Sequence, residues 1–507
     1  MNKTEKGKNM LNIGKELAKI SKSLDQEKVN KVRQDQKKQN DLPCWIYFAD
    51  KDKKEKKVNV SLLGEQILKD YTFLLSENDD KEAFYEYQPK TGIYIEHPKS
   101  YIKTVVHKYL VKHWLWKQST ELQTYQYILG GLKRCLFKNT FGKNPKMIFN
   151  FKNGVFDWQT MKLRDHSPND YLTTVTTYDL NTTTPNEAPE TNKYFDLVFG
   201  ENAKTMKEFV GYCFYPSYEP IQCIFILKGD GGDGKSTFSN FLGELLGKDN
   251  VSHIGLKDLA SNKENNFKLI GLHRKSLNIS AELKDTPENL NTAILKQLSG
   301  NDSNNSSVKG KKDLDFPNYA KLLIHTNDLV TFRDTSRGWR RRIFVLDFHS
   351  IPDFENTINW QKRKEEYGAF AYECIKLANE AIKRKDLTTT DSILNNRNEW
   401  IHSNDPLQSF IDECCYEGVN ETVNKKDLIN AYRNWCYENG YKPYSVQRLK
   451  TELEKKKIYE KDNNIKVMGT TKREHIYYFE GISLNNNANV ESIYNPVVKH
   501  TRQTGKP

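Results

Sequence analysis

The residues from Gly229 to Ser236 carry the clearest chemistry in this 507-residue sequence. They spell GDGGDGKS, a GxxxxGKS pattern, and they follow the apolar run Cys223–Leu227. Glycines in such a loop let backbone N–H groups approach a triphosphate, while the lysine reaches the β- and γ-phosphates and the serine hydroxyl binds Mg²⁺. The pattern predicts a phosphate-binding loop between a strand and a helix. A chance glycine-rich turn is the alternative.

The sequence after the loop predicts that helix. Apolar residues recur at helical spacing and a glycine stop follows, at Phe238, Phe241, Leu242, Leu245, Leu246 and Gly247. The helix would point its N-terminus at the phosphates of ATP. The predicted nucleotide contacts are Gly229, Gly231, Gly232, Gly234, Lys235, Ser236 and Thr237, with Ser236 also binding Mg²⁺. Asp230 and Asp233 would repel a polyanion unless they point outward or capture loop amides, and we expect them to point away from it.

Two further strand-like runs end in residues suited to nucleotide hydrolysis. Leu277–Ala281 precedes Glu282, a carboxylate that would hold Mg²⁺ and polarise the attacking water. Ala320–Thr326 precedes Asn327, whose amide would contact the γ-phosphate or position water. The alternatives are a surface glutamate at a helix start and a turn-forming asparagine.

A cluster of arginines follows the second run. Arg337 to Arg342 reads RGWRRR and leads into the apolar run Ile343–Leu346. A guanidinium from Arg341 or Arg342, delivered across a subunit boundary, would stabilise the charge of a phosphoryl-transfer transition state. That role requires an oligomer. A basic surface turn or a contact to a nucleic-acid backbone is the alternative.

Composition limits the class of protein. A net charge of +12 favours an acidic partner such as nucleic acid. No run of eighteen apolar residues occurs, and residues 1–40 are polar and lysine-rich, so neither membrane insertion nor secretion is indicated. The eight cysteines lack CxxC spacing, which indicates reduced thiols rather than a zinc site.

The C-terminal part predicts a winged helix-turn-helix. Helices are expected at 406–415, 425–436 and 446–456, followed by two strands around Gly469–Arg473. In such a fold the third helix enters the major groove, so Gln447, Arg448 and Lys450 would contact bases, while Lys472 and Arg473 on the wing would contact phosphates. A winged helix used for protein contacts is the alternative.

The order of motifs from Phe149 to Leu484 resembles the helicase part of the phage and plasmid primase-helicase family, whose motor belongs to the superfamily 3 helicases of the AAA+ group. The matching motifs are Asn153–Asp157, the GxxxxGKS loop, Glu282, Leu298–Asp302, the Asn327 strand and Trp339–Ile343. This resemblance implies a hexameric ring that hydrolyses ATP between subunits and moves along DNA threaded through its centre.

The same resemblance assigns a DNA-binding hairpin to Leu298–Phe316. It is similar to the family's B′ motif, with Lys309, Lys311 and Lys312 as the candidates; without the resemblance these lysines indicate a solvated loop. Asp233 stands where the family usually has Asn, and Asn301 and Lys309 also depart from its pattern, so the hairpin residue that touches DNA stays open.

The expected fold class is therefore α/β: an AAA+ P-loop ATPase core with a helical N-terminal region and a C-terminal winged helix-turn-helix domain. The predicted segments are a basic arm (1–43), an α+β domain (44–145), a helicase-associated, collar-like region (146–217), the ATPase (218–385), a polar linker (386–405), the winged helix (406–485) and a disordered tail (486–507).

A motor beside a DNA-binding module most resembles the replication initiators of staphylococcal pathogenicity islands and related mobile elements. The implied location is the cytoplasm of a bacterial host, with origin DNA, host replication proteins and a separate primase as partners. No primase activity is expected, because residues 1–152 present no DxD-type metal pair in a strand context.

Three functions fit these patterns. The leading one is an ATP-driven DNA helicase and origin initiator. Its rival is a DNA-binding ATP switch that assembles at a site and recruits another helicase. A packaging or regulatory ATPase acting on single-stranded nucleic acid is the third, disfavoured because the C-terminal module suits duplex DNA.

Overall fold

The computed structural model describes most of the chain between residues 42 and 490. The described residues are 42–50, 55–77, 82–136, 146–183, 187–260, 266–280, 292–300, 303–308, 311–327, 332, 334, 336–403, 405–466 and 473–490. The predicted arm, apart from residues 42 and 43, and the tail beyond residue 490 lie outside them.

The N-terminal unit packs helices against a mixed sheet. Its elements are β1 (Ile46–Phe48), β2 (Lys56–Val58), α1 (Val60–Asp70), β3 (Phe73–Glu77), β4 (Glu82–Gln88), β5 (Ile93–His97), α2 (Ser100–Lys112), α3 (Gln118–Gly131) and β6 (Lys133–Leu136). The sheet order is β5-β4-β3-β6, with β3 and β6 parallel. This unit is thus α+β rather than only helical, because β4 and β5 pair as an antiparallel hairpin next to the helices.

A three-stranded meander and two helices come next. The elements are β7 (Ile148–Phe151), β8 (Gly154–Asp157), β9 (Lys162–Arg164), α4 (Pro189–Phe199) and α5 (Ala203–Cys213). Asn153 and Gly154 turn the chain between β7 and β8, as their sequence predicts. The buried side chains of this region belong to the same hydrophobic cluster as the strands that follow, so no boundary in the packing occurs at residue 217.

A five-stranded parallel sheet forms the centre of the molecule. Its elements, with the helices between them, are β10 (Ile224–Lys228), α6 (Lys235–Leu246), β11 (Val251–Ser252), α7 (Leu256–Leu259), β12 (Leu277–Ser280), α8 (Thr292–Leu298), β13 (Ser303–Val308), β14 (Lys311–Pro317), β15 (Lys321–Thr326), α9 (Arg337–Arg340) and β16 (Ile343–Asp347). The sheet order is β11-β12-β15-β10-β16, while β13 and β14 pair as a separate antiparallel hairpin.

Both faces of the central sheet are buried. Along β10, Phe225 and Leu227 pack in one hydrophobic cluster with α4, α5 and α6, whereas Ile224 and Ile226 pack in a second cluster on the opposite face. Alternation along a strand explains the division, and burial on both faces explains why the strand sequences are almost continuously apolar.

Four helices follow the last strand of the sheet in the described stretch 348–403. They are α10 (Phe354–Thr357), α11 (Trp360–Glu365), α12 (Tyr367–Arg384) and α13 (Asp391–Ser403). The crossing of α5 and α12 is close, because a Cβ at Gly211 would lie 1.9 Å from the carbonyl oxygen of Cys374.

The prediction of a polar linker at 386–405 is wrong, since α13 occupies most of it. Trp400 is only 1% exposed and its ring lies 4.7 Å from that of Phe332 in the second cluster. Ile393, Trp400 and Ile401 are spaced i, i+7, i+8, so the segment has a buried helical stripe in spite of its polar composition.

The C-terminal unit has its own core. Its elements are α14 (Pro406–Cys414), β17 (Cys415–Asn424), α15 (Lys425–Glu438), α16 (Val446–Lys455), β18 (Tyr459–Lys466) and β19 (Arg473–Leu484). The antiparallel sheet has the order β17-β19-β18. The three helices and the last two strands follow the sequence prediction, and β17 is an additional strand.

Within the described part of the chain, no helix combines the length and the apolar character needed to cross a bilayer.

Candidate functional site

The GxxxxGKS loop connects the carboxyl end of β10 to the first turn of α6. Gly232 and Gly234 have φ angles of +85° and +103°, which glycine adopts without the steric cost that a Cβ brings. Gly234 directly precedes α6, so the loop glycines lie at the positive end of the helix dipole. The loop therefore combines two features of phosphate-binding loops, positive-φ glycines and a helix N-terminus.

The Lys235 ammonium is the centre of this site. Its Nζ donates to the backbone oxygens of Gly229 (2.6 Å) and Asp230 (3.1 Å), and to the side chains of Asp233 (2.7 Å) and Asn327 (3.1 Å). The residue is only 7% exposed. A buried cation held by four oxygens inside a glycine loop is placed to meet an anion that enters the loop.

The expectation for Asp233 is wrong, because its carboxylate points into the loop. Oδ2 pairs with the Lys235 ammonium and Oδ1 accepts the Lys235 backbone N–H at 3.1 Å. A Cβ at Gly229 would lie 2.9 Å from the backbone oxygen of Phe348 and would also meet Asp233 Oδ2, so the loop is closely packed at this glycine. Asp230 is exposed and contacts Lys235 only through its backbone oxygen. Capture of a loop amide and of the lysine explains the inward turn of Asp233.

Asn327 reaches the loop because of strand pairing. β15 lies parallel to β10 with Thr326 opposite Lys228, so the residue after each strand emerges at the same edge of the sheet. β12 is the next strand on the other side of β15 and ends at Ser280. Glu282 lies outside the described residues, and its metal role stays a prediction.

His325 is a packed histidine one residue before the end of β15. It is 6% exposed, and its Nδ1 lies 3.5 Å from Ser239 Oγ on α6. Burial, with the nearby Lys235 ammonium as the next cause, lowers the pKa of His325 to about 4. The imidazole is therefore neutral at pH 7 and packed inside the fold.

A cavity of about 200 Å³ opens beside the loop. The loop side is formed by Gly232, Asp233, Gly234 and Thr237, and the opposite side by Tyr194, Val198, Phe348, Ser350 and Ile351. Ser236 is exposed at the start of α6. Thr237 thus faces the cavity and Ser236 faces solvent, both within one turn of the loop.

The arginine cluster lies at the amino ends of the parallel strands, whereas the loop lies at their carboxyl ends. β16 runs parallel to β10 with Ile343 opposite Ile224, so Arg341 and Arg342 precede the amino ends of strands whose carboxyl ends carry the loop. Five residues of strand separate the two edges by about 16 Å. The arginines and the loop of one chain therefore do not share a site.

The two candidate arginines differ in exposure. Arg342 is buried and donates to the carbonyl of Gly338. Arg341 is exposed and donates to Gln222 Oε1 at 2.5 Å. Arg341 also lines a cavity of about 560 Å³ whose charged lining residues are Arg337, Arg340, Arg341, Lys385, Asp386 and Arg397. With five basic residues and one acid, this cavity suits an anion.

The DNA-binding candidates lie on the hairpin and on the C-terminal unit. Lys309 and Lys472 are outside the described residues, and the side chains of Lys311, Lys312 and Arg473, which belong to β14 and β19, are also undescribed. On α16, Gln447 and Lys450 are exposed. Arg448 stacks on the ring of Tyr444 at 3.9 Å, and Lys450 pairs with Glu460 at 3.0 Å.

Sequence reasoning missed several residues of the two cavities. Tyr194 and Ile351 lie in segments distant from the loop in sequence, and no local sequence pattern predicts that they line its cavity. Arg397 could have been found by recognising α13, for which the buried Ile393 and Trp400 were the available signal, whereas Lys385 directly follows α12 and has no such signal.

Comparison with protein families gives three matches along the chain. Residues 72–212 match the model described as D5 N terminal like, and residues 402–484 match the model described as Poxvirus D5 protein-like. Residues 227–342, which include the loop, match DUF5906, a family of unknown function. The chain is thus similar to D5-type proteins on both sides of its central sheet.

Two curated viral proteins are similar over part of the chain. "Putative helicase L207/L206" of Acanthamoeba polyphaga mimivirus is 24% identical over 240 residues, and "Putative helicase 184R" of Invertebrate iridescent virus 6 is 23% identical over 233 residues. Each match covers 44% of this chain and 24% of the relative. The chain therefore matches about a quarter of the length of each relative.

One solved structure resembles most of the fold. The A-form apo structure of the NrS-1 C-terminal region superposes with a TM-score of 0.50 at 13% identity, covering 84% of this chain and 100% of that chain. At this identity the likeness concerns the fold alone.

Proposed function

We propose that this protein is an ATP-dependent DNA helicase of superfamily 3 and a replication initiator, which binds the origin of a mobile element and unwinds DNA as an oligomeric ring. The observation that carries the proposal is the Lys235 ammonium, held by the glycine loop and by Asn327 at the carboxyl edge of a parallel sheet. The similarity to two viral proteins named helicases supports the same activity.

The cofactors in this proposal are ATP and Mg²⁺. The loop residues Gly229 to Gly234 and the first turn of α6 fit a triphosphate, because two glycines have positive φ and the buried ammonium lies at their centre. Ser236 and Glu282 would hold the metal, which would neutralise charge on the transferring phosphoryl group. Asn327 would orient the attacking water.

The ring arrangement is supported by the two edges of the sheet. Because Arg341 and the loop lie at opposite edges, Arg341 is suited to reach nucleotide bound by a neighbouring copy. Arg342, buried against Gly338, would position the cluster instead of contacting phosphate. When the five strands are numbered in chain order, their order across the sheet is 5-1-4-3-2, which is compatible with an AAA+ core.

DNA contacts are assigned to two places. The β13–β14 hairpin, with Lys309, Lys311 and Lys312, would contact a single strand in the ring channel. The C-terminal unit has the element order helix, strand, helix, helix, strand, strand, which supports a winged helix. Its third helix, α16, would present Gln447, Arg448 and Lys450 to origin duplex, and the β18–β19 wing would present Lys472 and Arg473 to phosphates.

ATP hydrolysis measured with and without DNA tests the motor. Wild-type protein should hydrolyse ATP faster when single-stranded DNA is added, and Lys235→Ala should abolish hydrolysis while leaving duplex binding by the C-terminal unit intact. Loss of duplex binding in the Lys235→Ala variant would contradict the division into motor and DNA-binding unit. Hydrolysis that depends on Lys235 but drives no strand separation would favour the ATP switch.

A further inference from the structure

The connection between α2 and α3 contains Trp114, whose side chain is exposed to solvent instead of being packed in a core. Trp114 is 95% exposed and has a φ angle of +62°. The backbone N–H of Trp114 donates to the backbone carbonyl of Val111, and the backbone N–H of Leu115 donates to that of Leu110, both at 3.0 Å. These two bonds form a Schellman motif in which Trp114 occupies the position where glycine is preferred.

This placement is unfavourable for stability. A left-handed backbone conformation is strained for a bulky L-residue. Because the indole is exposed to water, it also contributes no hydrophobic stabilisation that would offset this strain. The neighbouring Leu115 does pack on the hydrophobic cluster of the N-terminal unit. A residue that breaks a local rule without a packing gain points to a functional constraint.

Basic side chains are frequent in the sequence on either side of the exposed indole. Between Pro98 and Thr120 the sequence has five lysines and no Asp or Glu. Four of them are exposed: Lys103, Lys108, Lys112 and Lys117. Lys56 lies near enough to His113 to contribute, after burial and Lys112, to lowering its pKa. The charged side chains of the segment from Pro98 to Thr120 are all lysines, and Glu121, the acid that follows it, accepts a hydrogen bond from Trp116.

A second indole is fixed beside the first in sequence. Trp116 is 48% exposed, and its Nε1 donates to Glu121 Oε2 at 2.5 Å. The same oxygen lies 3.0 Å from His107 Nδ1, and the rings of His107 and Trp116 are 5.4 Å apart, edge to face. Because its orientation is held on two sides, Trp116 offers a ring face with little conformational freedom left to lose.

We propose that the α2–α3 surface, defined by Lys103, Lys108, Lys112, Trp114, Trp116 and Lys117, binds single-stranded nucleic acid. Bases stack on exposed aromatic rings irrespective of sequence, and lysines beside the rings neutralise the phosphates. Surfaces that bind proteins are depleted of lysine, so the charge favours nucleic acid over a protein partner. The inference is independent of ATP hydrolysis and adds a DNA contact outside the motor and the C-terminal unit.

The test is binding of the full chain, in the absence of ATP, to a labelled oligothymidylate of about 16 nucleotides. Fluorescence anisotropy measures Kd at each concentration of a salt series. Trp114→Ala should raise Kd about tenfold, while Trp114→Phe should stay near wild type. Trp114→Gly should also weaken binding but raise the melting temperature, because it relieves the strained position. That opposite effect on stability separates binding from folding.

The lysines have a matched control. Lys108→Gln with Lys112→Gln should reduce the slope of log Kd against log salt by about 1.4, since each phosphate contact to a single strand contributes about 0.7. Lys90→Gln, an exposed lysine in the β4–β5 turn of the same unit, should leave the slope unchanged. Photocrosslinking with 5-iodouracil in the oligonucleotide should label the peptide containing Trp114 and Trp116.

Two results would overturn the proposal. One is wild-type affinity and salt slope in both Trp114→Ala and the double lysine variant, with crosslinks confined to other segments. The other is a change in sedimentation of Trp114→Ala without a change in oligothymidylate affinity, which would make the surface a contact between protein chains. Neither result depends on whether the motor unwinds DNA.

Discussion

The carboxylate of Asp233 lies 2.7 Å from the ammonium of Lys235 and also accepts the backbone N–H of the same residue at 3.1 Å. The lysine that would meet a triphosphate is thus paired with an acid of its own loop. A phosphate group entering the loop must compete with this carboxylate for the ammonium and is repelled by its charge.

Replacement of this acid should therefore strengthen nucleotide binding. In Asp233→Asn the amide oxygen still accepts the Lys235 N–H, but the negative charge is gone, so we expect Kd for ATP to fall about tenfold, equivalent to about 1.4 kcal/mol. Titration with a fluorescent ATP analogue measures it. Asp230→Asn, which changes an exposed side chain of the same loop, should stay within about twofold of wild type. Equal affinities for the two variants would refute a competing role for Asp233.

Stability should fall in mild acid because of His325. Its folded-state pKa of about 4 lies below the ordinary value of 6.5, so the folded state binds fewer protons, and stability is lost as pH falls from 6.5 towards 4. At pH 5 this one group should cost about 2 kcal/mol. Urea unfolding of wild type and His325→Gln at pH 7 and pH 5 gives the comparison, and an identical loss in both proteins would assign the pH dependence to other groups.

The two arginines of the cluster should behave differently. Arg341→Ala removes an exposed guanidinium and should lower ATP turnover by about 10³ with little change in melting temperature. Arg342→Ala removes a buried side chain and should lower the melting temperature. Mixing Arg341→Ala protein with Lys235→Ala protein should restore part of the hydrolysis, because some interfaces then pair an intact loop with an intact Arg341. No recovery at any mixing ratio would contradict action between subunits.

Helix α13 should be needed for the stability of the central unit. Trp400→Ala deletes a fully buried ring and should cost about 3–5 kcal/mol in the free energy of unfolding. Glu399→Ala, at the neighbouring exposed position, should change it by less than about 0.5 kcal/mol. Denaturant unfolding of both variants tests whether the segment is part of the core. Equal free energies of unfolding for the two variants would mean that the segment acts as a linker.

Local sequence predicted the parts of the site that depend on local chemistry. The glycine loop, the apolar stripe of α6 and the strand ending at Asn327 each follow from residue type and spacing, and the structure brings Asn327 to Lys235. Parallel pairing of β10 and β15 brings them together, and strand order is not written in either segment.

Contacts over long separations escaped prediction. Lys321 at the start of β15 is fully buried, and its ammonium donates to the carbonyls of Tyr215 and Ser217, more than a hundred residues earlier. A lysine in a strand predicts an exposed side chain, and only the surrounding carbonyls and the rings of Tyr212 and Tyr218 make its burial possible. The inward turn of Asp233 was missed for a similar reason, because its partner geometry exists only in the folded loop.

In the proposed mechanism, ATP hydrolysis at Lys235 drives strand separation. The decisive measurement is unwinding of a forked DNA by the purified chain, beside a Lys235→Ala control. Wild type should release the displaced strand in an ATP-dependent manner, and Lys235→Ala should release none. ATP hydrolysis by wild type without strand release, across salt conditions in which DNA stays bound, would contradict this mechanism.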